Sequence, residues 1–335
     1  MKKVLIIILS IVLFTGSIVF AGIKSFNRKY SQHNDSRAEE QPKPIPGNIA
    51  YEGGDVTEII NVPGGNSESE SGSDSDSGTL NAIASGPVKE VPWENEDTFK
   101  EALMQSGATT ILAAFRTVLK DPLPGEEFNV HLAARMLAGT ILKPQEIFSQ
   151  NKLLGPYTES RGYQEGPTYM GSRLAKTYGG GVCKIASTLY NVSVLSNLQI
   201  IERHAHSMPV PYVPYGQDAT VAYGAKDFKF KNTSNSQILI WAMGVDNILY
   251  IAFYGSYIPP KIEWKHNIIE TSKAPVIYKT NSELSELEEK IILEGMDGAV
   301  VKSWIIIENR DGTNEIKQMG TSYYSPMPHI IERRQ

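Results

Sequence analysis

The chain has one cysteine in 335 residues, Cys183. It therefore has no internal disulfide. It also lacks any excess of positive charge: 32 lysines and arginines stand against 37 aspartates and glutamates, giving a net charge of −5. Domains that bind nucleic acid usually carry a basic face, so no nucleic-acid partner is expected. No internal repeat is present. Hydrophobic residues make up 41%, slightly below the usual globular share, so part of the length is expected not to be core.

One long apolar run does exist, at the N-terminus. Lys2 and Lys3 precede an uncharged stretch from Val4 to Ile23. As a helix it would rise about 30 Å, the thickness of a bilayer's hydrocarbon core. Positive charge before the run favours a cytoplasmic N-terminus and places the rest outside. Residues 1–23 are thus expected to be a membrane anchor, with a cleaved signal peptide ending near Val19-Phe20-Ala21 as the alternative. Either reading makes the chain extracytoplasmic, where cysteines usually pair. A lone cysteine there suggests a reactive thiol or an intermolecular bridge.

Residues 24–98 have the composition of a tether. Asn66 to Gly78 reads NSESESGSDSDSG and holds no apolar side chain. Such a segment cannot offset the entropy of ordering and is expected to be a disordered spacer. Order is expected from about Phe99. Ala113–Leu119 and Val130–Leu142 have helix-like spacing, with Pro144 as the stop. Asn151–Tyr178 reads as loops and short strands. After Gly179-Gly180-Gly181-Val182-Cys183, the residues Ile185, Leu189, Val192 and Leu195 recur at helical steps. A helix is expected to start at or just after Val182. Strands are expected at Ala219–Tyr223, Phe228–Lys231, Ile238–Met243 and Leu249–Tyr254, with a turn at Asp246-Asn247. Ala299–Glu308 and Glu315–Gly320 flank Asn309-Arg310-Asp311-Gly312, a hairpin signal. The fold class is α+β: mainly antiparallel sheet with a few helices, and the cysteine at a helix N-terminus. The expected divisions are 99–255 for a catalytic domain and 256–335 for a β-rich extension packed on it.

The triglycine and cysteine have a chemical reading. Unpaired N–H groups at a helix start carry partial positive charge. They stabilise a thiolate and can receive a developing oxyanion. Gly180, Gly181 and the Cys183 N–H are the candidate donors. A thiolate nucleophile usually works with an oriented base. Of six histidines, His204 and His206 lie in Glu202-Arg203-His204-Ala205-His206-Ser207, between the cysteine helix and the strands. Asp218, in Gly216-Gln217-Asp218-Ala219-Thr220, could orient an imidazole or be an ordinary turn aspartate. The two histidines lack companion ligands at a familiar spacing, so neither metal nor cofactor is expected.

In order, FSQNKLLGPYTESRGY, GGGVCKIASTLYN, ERHAHS, YVPYGQDATV and DFKFKN make this chain resemble the VanW-like domain family from about Thr110 to Tyr254. The family is named after an accessory protein of some vancomycin-resistance clusters. The resemblance implies an exported, anchored protein of a Gram-positive bacterium. It further implies L,D-transpeptidation of peptidoglycan stem peptides, with Cys183 as nucleophile. In that picture His206 is general base and acid, Asp218 orients it, and Arg203 grips the donor's carboxylate. Hydrolysis of the same stem peptides, or non-catalytic wall binding, are the rival readings. One departure is Lys184, where the family commonly has glutamine; its charge would favour a thiolate or meet an oxyanion.

Overall fold

The computed structural model describes residues 84–120, 122–170 and 173–334. The expected membrane helix and most of the expected tether lie outside the described residues. Among the described residues, no helix is long and apolar enough to cross a membrane.

The centre is a five-stranded antiparallel sheet. Its strands are β1 (Gly86–Pro87), β2 (Thr110–Val118), β3 (Thr140–Leu142), β9 (Ile238–Val245) and β10 (Ile248–Gly255), in the order β1-β2-β10-β9-β3. Both faces are buried. Leu249, Ile251 and Phe253 of β10 face one core, while Ala252 and Tyr254 face another. A sheet covered on both sides needs apolar residues at every position, which is why Ile238–Ala242 is an unbroken apolar run. The turn between β9 and β10 falls at Asp246, whose φ is 49°.

One face is covered by α1 (Asp97–Ser106) and by Trp93, which is fully buried and donates its indole N–H to Tyr254 Oη at 2.9 Å. Residues 84–98 are therefore part of the domain, not of the tether to which the sequence assigns them. An indole of that size offsets the cost of ordering its neighbours. The other face carries α2 (Glu126–Leu137) and α4 (Cys183–Leu195), with α3 (Gln150–Leu154) beside them. Smaller pieces complete this layer: β4 (Ile147–Ser149), β7 (Gln199–Glu202) and β8 (Lys229–Lys231) form one sheet, and β5 (Glu165–Met170) and β6 (Arg173–Tyr178) form a hairpin.

Three expected elements differ. Ala113–Leu119 is strand, not helix: it lies within and just beyond β2. Both faces of this strand meet core, Leu112 and Phe115 on one side and Ala114 on the other, so no clean polar–apolar alternation marks it. The helix expected over Val130–Leu142 ends at Leu137, because Gly139 turns the chain at φ 82° into β3. Ala219–Tyr223 joins no sheet. Only Ala222 forms a bridge, to Lys226. Ala219 takes both its backbone partners from the Ser187 side chain of α4, and Thr220 N donates to His204 O.

The C-terminal residues form two further sheets. β11 (Lys261–Ser272), β14 (Gly298–Glu308) and β15 (Asn314–Tyr324) pair antiparallel. β12 (Val276–Thr280) runs parallel to β16 (His329–Arg333), and β13 (Glu289–Leu293) runs antiparallel to it. The first of these sheets joins the main core through Ile305, Ile307 and Trp264. The Trp264 ring meets Tyr190 of α4 edge-on at 5.2 Å.

Candidate thiol site

Helix α4 positions the site because it is buried nearly all round: residues 185 to 194 are shielded from solvent. A buried helix must pair its polar side chains. Ser187 Oγ donates to Ala219 O (3.1 Å) and accepts from Ala219 N (2.9 Å). Asn191 Nδ2 donates to Gln217 O at 2.8 Å. These two residues, four apart on one face, hold 217–219 alongside the helix. His204 O accepts from Thr220 N at 2.8 Å, so the segment carrying the histidines lies beside it.

The glycine loop is braced from the other side. Asn129 Nδ2 donates to Gly180 O (3.0 Å) and Gln164 O (2.8 Å), and Gln150 Nε2 donates to Val182 O (3.2 Å). Gly180 presses on Gly166 so closely that a Cβ would stand 2.2 Å from the Gly166 carbonyl carbon. Gly181 has φ 102°. Gly180 N–H donates to Thr177 O at 3.1 Å, so it does not face an oxyanion. Among the described residues, the N–H groups of Gly181 and Cys183 donate to nothing, and they open the first turn of α4.

Cys183 is a free, part-buried thiol. Its Sγ lies 3.3 Å from Thr220 Oγ1 and 3.7 Å from Val221 O. Burial pushes the thiol up, but hydrogen bonding from His206 and the imidazole's charge outweigh it and bring the thiol down to about 7. Burial pushes His206 down, while its bonds to Asp218 and to the thiol raise it to about 9. Both shifts favour a thiolate–imidazolium pair at neutral pH.

Asp218 is buried at 1% exposure and fully bonded. Its Oδ2 accepts from His206 N and meets His206 Nδ1, both at 2.7 Å. Its Oδ1 accepts from Arg203 Nη2 at 2.9 Å and from the Tyr324 hydroxyl. Burial would raise the carboxyl, but His206 and Arg203 hold it below the usual carboxylate range. The structure thus gathers Cys183, His206 and Asp218 at one site.

The remaining candidates have other roles. Arg203 also donates to Asp218 O (2.7 Å) and Ser322 Oγ (3.0 Å) and lies over the Tyr190 ring at 5.1 Å. It is committed to Asp218 and does not reach for a substrate carboxylate. Lys184 is paired with Glu126 and sits 4.9 Å over the Tyr212 ring, so its charge is met by a carboxylate and not by an oxyanion. His204 Nε2 pairs with Glu202 Oε1 at 3.0 Å, apart from Asp218. Thr220, Tyr212 and Tyr324 were not singled out from sequence. The alternation of Asp218 and Thr220 in one extended block was the only local signal for Thr220. Among the described residues, no three His, Cys, Asp or Glu side chains converge as metal ligands would.

An α+β domain with a thiol, an imidazole and a carboxylate gathered at a helix start defines a Cys–His–Asp class of site. The particular family follows from comparison: residues 125–254 match the family model described as VanW like protein, and the chain carries a VanW-like domain. It is 35% identical over 173 residues to the uncharacterised protein YoaR of Bacillus subtilis, covering 51% of this chain and 57% of YoaR. It is 34% identical over 119 residues to the vancomycin B-type resistance protein VanW of Enterococcus faecalis, covering 34% of this chain and 43% of that protein. The chain thus spans about half the length of these curated relatives. The G5 domain structure of an IgA1 protease matches 24% of this chain and 98% of its own length, with 22% identity and a TM-score of 0.15.

Proposed function

We propose that this protein is a peptidoglycan L,D-transpeptidase that forms 3→3 cross-links through a thioester on Cys183. The observation that carries the reading is the gathering of Cys183, His206 and Asp218 at a helix start where two N–H groups are unengaged. The Cys183 thiolate attacks the carbonyl that joins the diamino acid of a donor stem to its terminal D-alanine. The Gly181 and Cys183 N–H groups receive the oxyanion. The C–N bond breaks, and the His206 imidazolium gives its proton to the departing amine of D-alanine. The neutral imidazole then takes a proton from the acceptor stem's side-chain amine as that amine attacks the thioester. A new amide forms, the thiolate leaves, and the imidazolium is restored. Asp218 holds the ring throughout. No cofactor enters these steps. The N-terminal run from Val4 to Ile23 supports an anchored, extracytoplasmic enzyme.

The test is incubation of the protein with a disaccharide-tetrapeptide and mass spectrometry of the products. A dimer that has lost one D-alanine supports transpeptidation. A tripeptide product assigns the same thiol to hydrolysis. Cys183→Ala should abolish either product while the melting transition stays intact. Substrate left unchanged by the folded wild-type chain would sink the enzyme reading.

A further inference from the structure

The buried carboxylate that orients His206 is completed from outside the VanW-like domain. Tyr324 is the last residue of β15, 106 positions beyond Asp218. Its hydroxyl accepts from Gly216 N at 2.8 Å and donates to Asp218 Oδ1. The hydroxyl is thus fixed at both ends. Two residues earlier on the same strand, Ser322 Oγ accepts from Arg203 Nη1 at 3.0 Å. Alternation puts Ser322 and Tyr324 on one face of β15, aimed at the site. The Tyr324 ring packs on Tyr215 at 5.2 Å and is 5% exposed. Close by, Tyr215 Oη donates to Asp297 O at 2.8 Å, and Ser325 N donates to Ser207 O at 2.8 Å. The contact is therefore a seam made by several residues on both sides.

From this geometry we infer that the C-terminal sheet is a working part of the thiol site, with Tyr324 as a positioning residue. Tyr324 and Arg203 pin Oδ1 of Asp218, which leaves Oδ2 for His206. The inference rests on the Cys183–His206–Asp218 reading and deepens it. Nothing within residues 125–254 replaces the hydroxyl, because the other donors to this carboxylate are Arg203 and His206. Without Tyr324 the carboxylate can rotate, the imidazolium is less well held, and the thiol loses part of its charge partner. The ionisable groups that bear on Asp218 are Arg203, His206, Tyr324, Tyr190 and Tyr212; those that bear on Cys183 are His206, Tyr157 and Tyr212.

The test is the pH titration of Cys183 in the full chain, read by the ultraviolet absorbance of the thiolate, for wild type, Asp218→Asn and Tyr324→Phe. Tyr324→Phe should raise the midpoint by roughly half to one pH unit, and Asp218→Asn by more. A purely structural tyrosine would lower the melting temperature and leave the midpoint in place. An unmoved midpoint in folded Tyr324→Phe, beside a raised one in Asp218→Asn, overturns the inference and spares the catalytic reading. An unmoved midpoint in both overturns both. If Tyr324→Phe does not fold, Ser322→Ala decides: a smaller rise supports the role of the C-terminal sheet, and no rise overturns it.

Discussion

Removing the imidazole gives the sharpest prediction, because it changes the amount of thiolate and its strength in opposite directions. With the thiol at about 7, roughly half of Cys183 is ionised at neutral pH. In His206→Ala the burial that opposes ionisation remains, and the hydrogen bond and charge that overcame it are gone. The thiol should return to its ordinary 9.0 or above. Its ionised share at pH 7 then falls about fifty-fold, to about 1%. The thiolate that does form is more basic by about two units and so intrinsically faster by about six- to ten-fold. The net result at pH 7 is alkylation slower by about five- to eight-fold, and a high-pH plateau above that of wild type. The two rate profiles must cross. The assay is the pseudo-first-order rate of iodoacetamide labelling from about pH 5 to about pH 10, so that both midpoints fall inside the range. The sign follows from the raised imidazole and lowered thiol: the ion pair exists between about 7 and about 9 and is lost on either side. A variant with its midpoint still near 7, or with a profile simply scaled down at every pH, would refute the pairing of Cys183 with His206.

Two other substitutions test the frame around the thiol. Gly180→Ala places a methyl 2.2 Å from the Gly166 backbone and should cost about 1–3 kcal/mol in chemical denaturation, with slower labelling of Cys183 at pH 7 as the loop shifts. Lys184→Gln removes the ammonium paired with Glu126 Oε1 and leaves that carboxylate only the Leu123 N–H at Oε2. It should cost about 1.5–3 kcal/mol of stability while leaving the thiol midpoint unchanged; a raised midpoint would mean that the lysine serves the thiolate after all.

The cysteine helix was legible because its signals are local: glycines, then apolar residues at steps of three and four, with no breaker before Leu195. The strands Ile238–Val245 and Ile248–Gly255 were legible for the same reason, through β-branched runs around a turn. β2 was not, because a strand buried on both faces carries no alternation. Ala219–Tyr223 has strand-like composition, yet a sequence does not show that Ser187 and Asn191 satisfy the neighbouring backbone in place of a ladder. The site divides in the same way. His206 and Asp218 stand in short blocks near the cysteine. Arg203 shows its charge in the sequence but not its partner, and so it was assigned to the substrate when it belongs to Asp218. Tyr324 reaches the site only through the fold of a separate sheet, and no local pattern marks it.

Trp93 has a mechanical consequence. Upstream of it, β1 holds to β2 by two residues, helped by Arg116 Nε donating to Ala84 O and Val118 N to Ser85 Oγ. A pull applied to the chain before Ala84 therefore peels a very short edge ladder first. It then meets an indole seated under the central sheet and bonded to Tyr254 of β10. The load passes into α1 and the face of the sheet opposite α4. Tension on the leading segment thus first meets the face of the sheet opposite the one that carries Cys183.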